Sequence, residues 1–285
     1  MMISPETKLL LRKLRRNRLA MIGVVLVSVL VLATVLLPWV LPWDPNKMDV
    51  RNALQGSSAA HLLGTDQFGR DILTRIVYGG SISLRVGFYV TFASLILGVG
   101  LGALSGYVGG MTDVVIMRGM DALMAFPGLL LAIALVAAFG GTMTAIVIAL
   151  TIVGIPRFAR VVRASVLQRK ESDYVLAARA LGKRPTVILV QDVLPNCIGP
   201  ILIQTTLKFP TAILGEAGLS FLGLGLPPPA PSWGRMLNEA RSFMEVAPAA
   251  AIYSGAAIFI TVMGFNLLGD GLRDVLDPRT QSARR

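Results

Sequence analysis

The chain has 285 residues, of which 54% are hydrophobic and only 15% charged, and its mean hydropathy is +0.68. That balance excludes an ordinary soluble domain, which carries about 25% charged residues. A single cysteine, Cys197, and a single histidine, His61, exclude a disulfide framework and a Cys/His metal cluster.

Lys8, Arg12, Lys13, Arg15, Arg16 and Arg18 form a basic start, followed by an uncharged apolar run from Leu19 to Leu41. The run is too long for a signal-peptide core and ends in Pro38, Trp39, Pro42 and Trp43, so it reads as an uncleaved first span with interfacial tryptophans. Asp44 to Gly80 is polar and broken by Pro45, Gly56, Ser57 and Ser58; it reads as an external loop ending in a short amphipathic helix, Asp71 to Tyr78. Further apolar runs at Ser81–Tyr107, Val114–Phe139, Thr142–Val162, Cys197–Leu219 and Pro248–Leu268 are each long enough to cross a hydrocarbon core, which takes about 20 helical residues. Gly98, Gly100, Gly102 and Gly106 recur in the second run, where small residues let helix backbones approach closely in lipid. Gly140–Gly141 marks a turn between the third and fourth runs.

The predicted fold is therefore all-α, a polytopic bundle of about six spans. Its parts are a cytoplasmic N-terminus (1–18), a first transmembrane helix (19–43), an external loop (44–80), a core membrane domain (81–269) with a cytoplasmic loop (167–196), and a cytoplasmic tail (270–285). The sidedness comes from charge. The N-terminus, the stretch Arg157 to Pro195 and the tail from Asp270 hold 18 Lys/Arg and 7 Asp/Glu, and the rest of the chain holds 9 of each. The whole surplus of +11 thus lies in three segments that an even number of crossings puts on one side, the cytoplasmic one by the positive-inside rule. This placement explains the basicity without a nucleic-acid surface.

The longest interruption of the apolar pattern is Leu167 to Asn196. Ser172 or Asp173 starts a short helix over Tyr174–Leu181, and Gly182 stops it. Pro185 opens a second helix that reaches Leu194 and is closed by Pro195. Ala177, Ala178 and Ala180 leave the first helix slender. On pattern alone the segment is either a docking elbow for another protein or a plain connector.

The run Tyr174-Val-Leu-Ala-Ala-Arg-Ala-Leu-Gly182, with Leu194-Pro195-Asn196 twelve residues on, resembles the coupling-loop signature of bacterial ABC importer permeases. Two positions depart from it: Leu176 stands where the family has an acid, and Asp192 stands two before the Leu-Pro. Gly64-Thr-Asp-Gln-Phe-Gly-Arg-Asp71, Phe126-Pro127, Ser220-Phe-Leu-Gly-Leu-Gly225, Pro231-Ser-Trp-Gly234 and the tail from Phe265 to Pro278 are similar to segments of the dipeptide/oligopeptide/nickel group, in its order, over about His61 to Arg279. The likeness is to the second of the two permeases in such systems, the C-type subunit.

That resemblance implies the type I ABC importer permease fold in a bacterial inner membrane, with half of a translocation path for di- or oligopeptides. Nickel, glutathione and opine-like solutes are the alternatives. It implies a second homologous permease, two ATPase subunits that bind ATP and Mg and receive the loop (Tyr174, Ala177, Ala178, Arg179, Gly182, Leu194, Pro195), and an extracytoplasmic solute-binding protein. Asp66, Arg70 and Asp71 in the external motif either meet that binding protein or solvate the loop.

From the residues themselves, no G-x-x-x-x-G-K-[ST] phosphate loop and no nucleophile–base constellation is present, so no ATP site, catalytic residue, metal or cofactor is expected in this chain. An intramembrane enzyme is disfavoured on the same ground. A secondary transporter would need coupling sites near the midplane, for which Lys208 and Glu216 are the candidates. They lie inside the fifth span, about 12 Å apart along a helix and so unable to pair within it; each is a pathway or gate residue, or a buried partner to another helix or subunit. Pro210 should kink or unwind that span. Gly223, Gly225 and Pro227 to Pro229 cannot continue a regular helix and read as an external cap, with or without a re-entrant turn, and Trp233 reads as a packing or interface anchor rather than a ligand platform.

Overall fold

The computed structural model describes residues 15, 17–40 and 44–276, and among these it is a helical bundle whose only β pairing is one bridge, Thr65 with Asp71. The helices are α1 (Arg18–Val40), α2 (Ile72–Val108), α3 (Gly110–Met124), α4 (Gly128–Phe139), α5 (Met143–Arg169), α6 (Asp173–Ala180), α7 (Pro185–Ile188), α8 (Ile198–Phe221), α9 (Trp233–Ala240) and α10 (Ala249–Leu276). Five helical runs are long and apolar enough to cross a membrane, or six if a bent pair counts as one span. The extreme N-terminus, residues 41–43 and the tail from 277 lie outside the described residues.

In lipid the hydrophobic effect does not drive helices together; close packing and polar contacts do. The pair α2–α5 shows how. A Cβ at Gly98 or Gly106 would meet the α5 backbone, 3.1 Å from the Ile155 carbonyl oxygen and 2.9 Å from that of Arg163, and one at Gly102 would lie 3.0 Å from the Ala159 carbonyl carbon. Gly100, on the opposite side, faces open space. The first helix uses the same device: a Cβ on Gly23 would come within 2.6 Å of the Leu268 nitrogen of α10. Asn17 Nδ2 donates to Asp274 Oδ2 at 3.3 Å, so the start of α1 and the end of α10 sit at the same end of the bundle.

Four expectations need correction. The short helix Asp71 to Tyr78 is not separate; it is the opening of α2. Gly79 and Gly80 do not break the helix, because they serve close contacts: Gly79 meets the Ser232 backbone and Gly80 faces Thr34 and Trp233. The span expected at Val114–Phe139 is two helices, α3 and α4, bent by 90° between Met124 and Gly128. Pro127 has no N–H to continue α3, and its carbonyl instead accepts the first bond of α4, from the Leu131 N–H at 3.0 Å. Finally, Pro195 does not end a helix. The chain runs on from Pro185 to Phe221 by widening to a π-turn over Leu189–Val193 and tightening to a 3-10 turn over Leu194–Cys197. Asn196 Nδ2 takes the Asp192 carbonyl at 2.7 Å. Pro210 likewise lies within α8, which continues through it without unwinding.

Candidate functional site

At one end of the bundle, α5 gives way to the elbow α6–α7. Lys170 Nζ reaches back to the Gly106 carbonyl at 3.1 Å, tying this corner to the end of α2. Ser172 takes the N-cap position of α6 with its backbone carbonyl; its side chain makes no capping bond. At the other end of α6, Gly182 has φ +74°, and its N–H and that of Lys183 bond the carbonyls of Arg179 and Ala178. This is a Schellman closure, which favours glycine because a side chain in the left-handed region is strained.

The elbow is fixed to the membrane helices rather than hanging from them. Val175 is fully buried with Ile188, Val193 and Cys197 against Ala103 of α2 and Val162 and Val166 of α5. Lys183 Nζ bonds Asp192 Oδ2 at 2.7 Å across the two arms, a partly exposed pair worth about 0–1 kcal/mol. The Arg179 guanidinium lies 5.8 Å over the Tyr107 ring. The opposite face of α6 is free: Tyr174, Leu176 and Ala177 are exposed, and Leu181 at the tip is 88% exposed. Of the paired alanines, Ala177 faces outward and Ala178 is half-buried against the bundle. Leu194 is half-buried in the same cluster and Pro195 is exposed. Glu171 and Asp173 stand exposed at the start of α6.

At the other end, loop 44–71 and α9 form a cap. Asp66 Oδ1 accepts the N–H groups of Phe68 and Arg70, and Asp66 Oδ2 accepts Arg70 Nε at 2.6 Å. Glu239 of α9 then gathers three arginines: Arg70 Nη2 at 2.6 Å, Arg75 Nη2 at 3.0 Å and Arg235 Nε at 2.7 Å. Burial works to raise the Glu239 carboxyl, but Arg75, Arg70 and Arg235 outweigh it and hold it below the usual carboxylate range. Asp71 caps α2, accepting from the Thr74 N–H and hydroxyl at 2.7 Å each, and meets His61 Nδ1 at 3.0 Å. All three motif residues are thus engaged inside the chain, with Asp66 and Arg70 buried and Asp71 half-buried.

Glu216 is fully buried and fully served. Its oxygens accept from Ser83 of α2 at 3.0 Å and Ser220 at 2.7 Å, and Ser220 accepts from Ser232 at 3.5 Å, at the start of α9. Trp233 beside it is buried and donates Nε1–H to the Ile76 carbonyl at 3.0 Å. Lys208 sits two turns away on α8, unpaired with Glu216, and its Nζ lies 3.4 Å from the Leu150 carbonyl. Among the described residues no three His, Cys, Asp or Glu side chains are grouped to hold a metal ion.

Residues 98–282 match the family model described as "Binding-protein-dependent transport system inner membrane component", and residues 7–56 match the N-terminal transmembrane domain of oligopeptide transport permease C. The chain belongs to this permease family. It is 44% identical over 271 residues to the dipeptide transport system permease protein DppC of Alkalihalophilus pseudofirmus, covering 95% of this chain and 89% of that one. It is 47% identical to a putative peptide transport system permease of Brucella abortus (94% and 90% covered) and 44% to the glutathione transport system permease GsiD of Escherichia coli (94% and 89%). The fold is that of type I ABC importer permeases: the inward-facing MetNI methionine transporter superimposes with a TM-score of 0.59 at 17% identity (72% of this chain, 98% of that one) and an amino acid ABC transporter with 0.54 at 18% (70% and 93%). The chain is thus a multi-pass permease component of an ABC importer, and membership implies an assembly with a paired permease, an ATPase and a binding protein.

Sequence reasoning passed over several residues of this permease. Glu239 and Arg75 are 164 positions apart, with no local pattern to join them. Leu181 offered a signal: a large apolar residue directly before a stop glycine is either a buried staple or an exposed contact.

Proposed function

We propose that this permease forms half of the path of an ATP-driven peptide importer and is driven through the elbow at 167–196. The observation that carries the coupling is the contrast between the two faces of α6: Val175 is locked into the ends of α2, α5 and α8, while Tyr174, Leu176 and Leu181 face outward. An apolar tip of this kind on a rigid mount suits a groove in a partner ATPase. Motion of that ATPase passes to three spans at once because the mount has no slack. ATP and Mg are bound by the two partner ATPases, since this chain has no phosphate loop.

The three basic segments orient both termini and the elbow toward the cytoplasm. The cap then faces the binding protein. Asp66, Arg70 and Asp71 act there by holding the shape of loop 44–71, and the exposed Val50, Leu62 and Phe68 of that loop are the surface presented. The solute class follows the dipeptide and peptide permeases among the relatives; glutathione, itself a tripeptide, is the second reading supported by the GsiD match.

The test is uptake by proteoliposomes holding the complex that co-purifies with this chain, supplied with its binding protein. Uptake of labelled dipeptide that requires internal ATP and is competed by peptides supports the reading. Uptake without ATP would replace it with a secondary transporter, and competition by glutathione alone would move the solute class.

A further inference from the structure

Lys208 is an ammonium group about 15 Å along α8 from Ile198, in the interior of a span, and its side chain is buried. An ammonium has three donors. Here it has one acceptor, the Leu150 carbonyl, at the long distance of 3.4 Å. It lies flat on α5 because Gly154 has no Cβ; one built there would come 2.6 Å from both Cε and Nζ of Lys208 and 2.5 Å from Ser94 Oγ. The hydroxyls of Thr91 and Thr151, one turn from Ser94 and Gly154 on α2 and α5, are buried and have no hydrogen-bond partner. The cation thus sits beside Ser94 at the junction of α2, α5 and α8, with an orphan hydroxyl one helical turn away on each of α2 and α5.

Buried polar groups that serve only structure are normally satisfied within the protein. Glu216, on the same helix, is such a case, with serine partners on both oxygens. The Lys208 junction is the reverse: the ammonium has one long contact and the two hydroxyls have none, so most of its hydrogen-bonding capacity is unused within the chain. The nearby charge does not fill the gap. Arg157, one turn beyond Gly154, is exposed, within electrostatic reach of Lys208, and without an ion pair among the described residues. Gln204 and Thr211 continue the Lys208 stripe of α8 to the surface, half-exposed and exposed. Ionisable groups inside a membrane face a water-filled cavity or a partner, and two adjacent cations call for an anion.

We propose that Lys208, with Arg157 one turn beyond Gly154 and the Thr91 and Thr151 hydroxyls one turn to the other side, is a station in the translocation path that receives the solute's carboxylate. This rests on the reading of the chain as a peptide-importer permease, because a peptide carries a carboxylate at its C terminus whatever its side chains. The ammonium swings from the Leu150 carbonyl to the passing carboxylate and returns.

The experiment measures turnover in proteoliposomes of the complete complex, at saturating binding protein, for one peptide as free acid and as C-terminal amide. Lys208→Met should lower free-acid turnover at least about tenfold, the scale of a lost charged hydrogen bond. Lys208→Arg should restore most of it. Amide turnover should be the same in wild type and Lys208→Met. Unchanged free-acid turnover in Lys208→Met overturns the proposal. So does an equal loss for acid and amide, or a failure of Lys208→Met to assemble, because either result makes the lysine a structural partner within the complex. A wild type that carries no peptide overturns the importer reading first, and is told apart by that.

Discussion

Replacing Glu239 by Gln tests whether the cap is held by its ion network. The glutamate is the shared acceptor of Arg70, Arg75 and Arg235, and the Arg70 and Arg75 side chains are only 4% and 1% exposed. Removing one partner of a buried charge cluster leaves the others uncompensated and costs about 3–5 kcal/mol. Asp66 remains, 2.6 Å from Arg70 and 3.5 Å from Arg75, and moderates the loss, so about 3 kcal/mol is the working figure. The cost falls on the docking of loop 44–71 and the first turns of α2 against α9. It should raise the open population of the loop by about a hundredfold, at 1.4 kcal/mol per tenfold. Lys47 and Arg51 are exposed on that loop, so limited trypsin digestion of the purified complex reads the opening as faster cleavage at those sites. Acid should open the loop of the wild type too, read there by an acid-active protease such as pepsin in place of trypsin. The Glu239 carboxyl is held below its ordinary value, so its contribution is fully present above about pH 4.3 and is lost as the pH falls through the lower, folded value. Cleavage in Glu239→Gln at the wild-type rate would refute the argument.

Gly102→Val should cut the yield of assembled complex, through overpacking of about 1–3 kcal/mol against Ala159, while Gly100→Val, facing open space, should leave it unchanged; membrane levels of the two variants, compared by immunoblot, check this. Glu216→Ala strips Ser83 and Ser220 of their shared acceptor at a cost of about 1–3 kcal/mol per stranded group, and should lower the thermal midpoint of the purified complex.

Much of the bundle was legible because lipid imposes simple rules. Apolar runs of about 20 residues marked the spans, and glycines at helical spacing marked the α2–α5 seam. Gly182 was readable as a stop because a left-handed closure leaves few other choices. What escaped were outcomes of competition between a local signal and its surroundings. Phe126-Pro127 looked like a position within a span and proved to be a right-angle break. Gly79–Gly80 and Pro195 looked like breaks and were carried through, the first by packing on α1 and α9, the second by π and 3-10 turns. The external motif was visible, but its partner Glu239 was not, so Asp66 and Arg70 read as outward-facing when they are buried. Lys208 was conspicuous from the start; that it lies on Gly154 beside Ser94, with orphan hydroxyls a turn away, required three helices to be placed together.

The central claim, that the elbow docks the ATPases, is tested most directly at Leu181. Its side chain is 88% exposed, so Leu181→Asp should cost the permease little stability. The account predicts that this variant reaches the membrane and pairs with its second permease at wild-type levels, but brings down markedly less ATPase on affinity purification and loses ATP-driven uptake. ATPase recovery and uptake equal to wild type would contradict it.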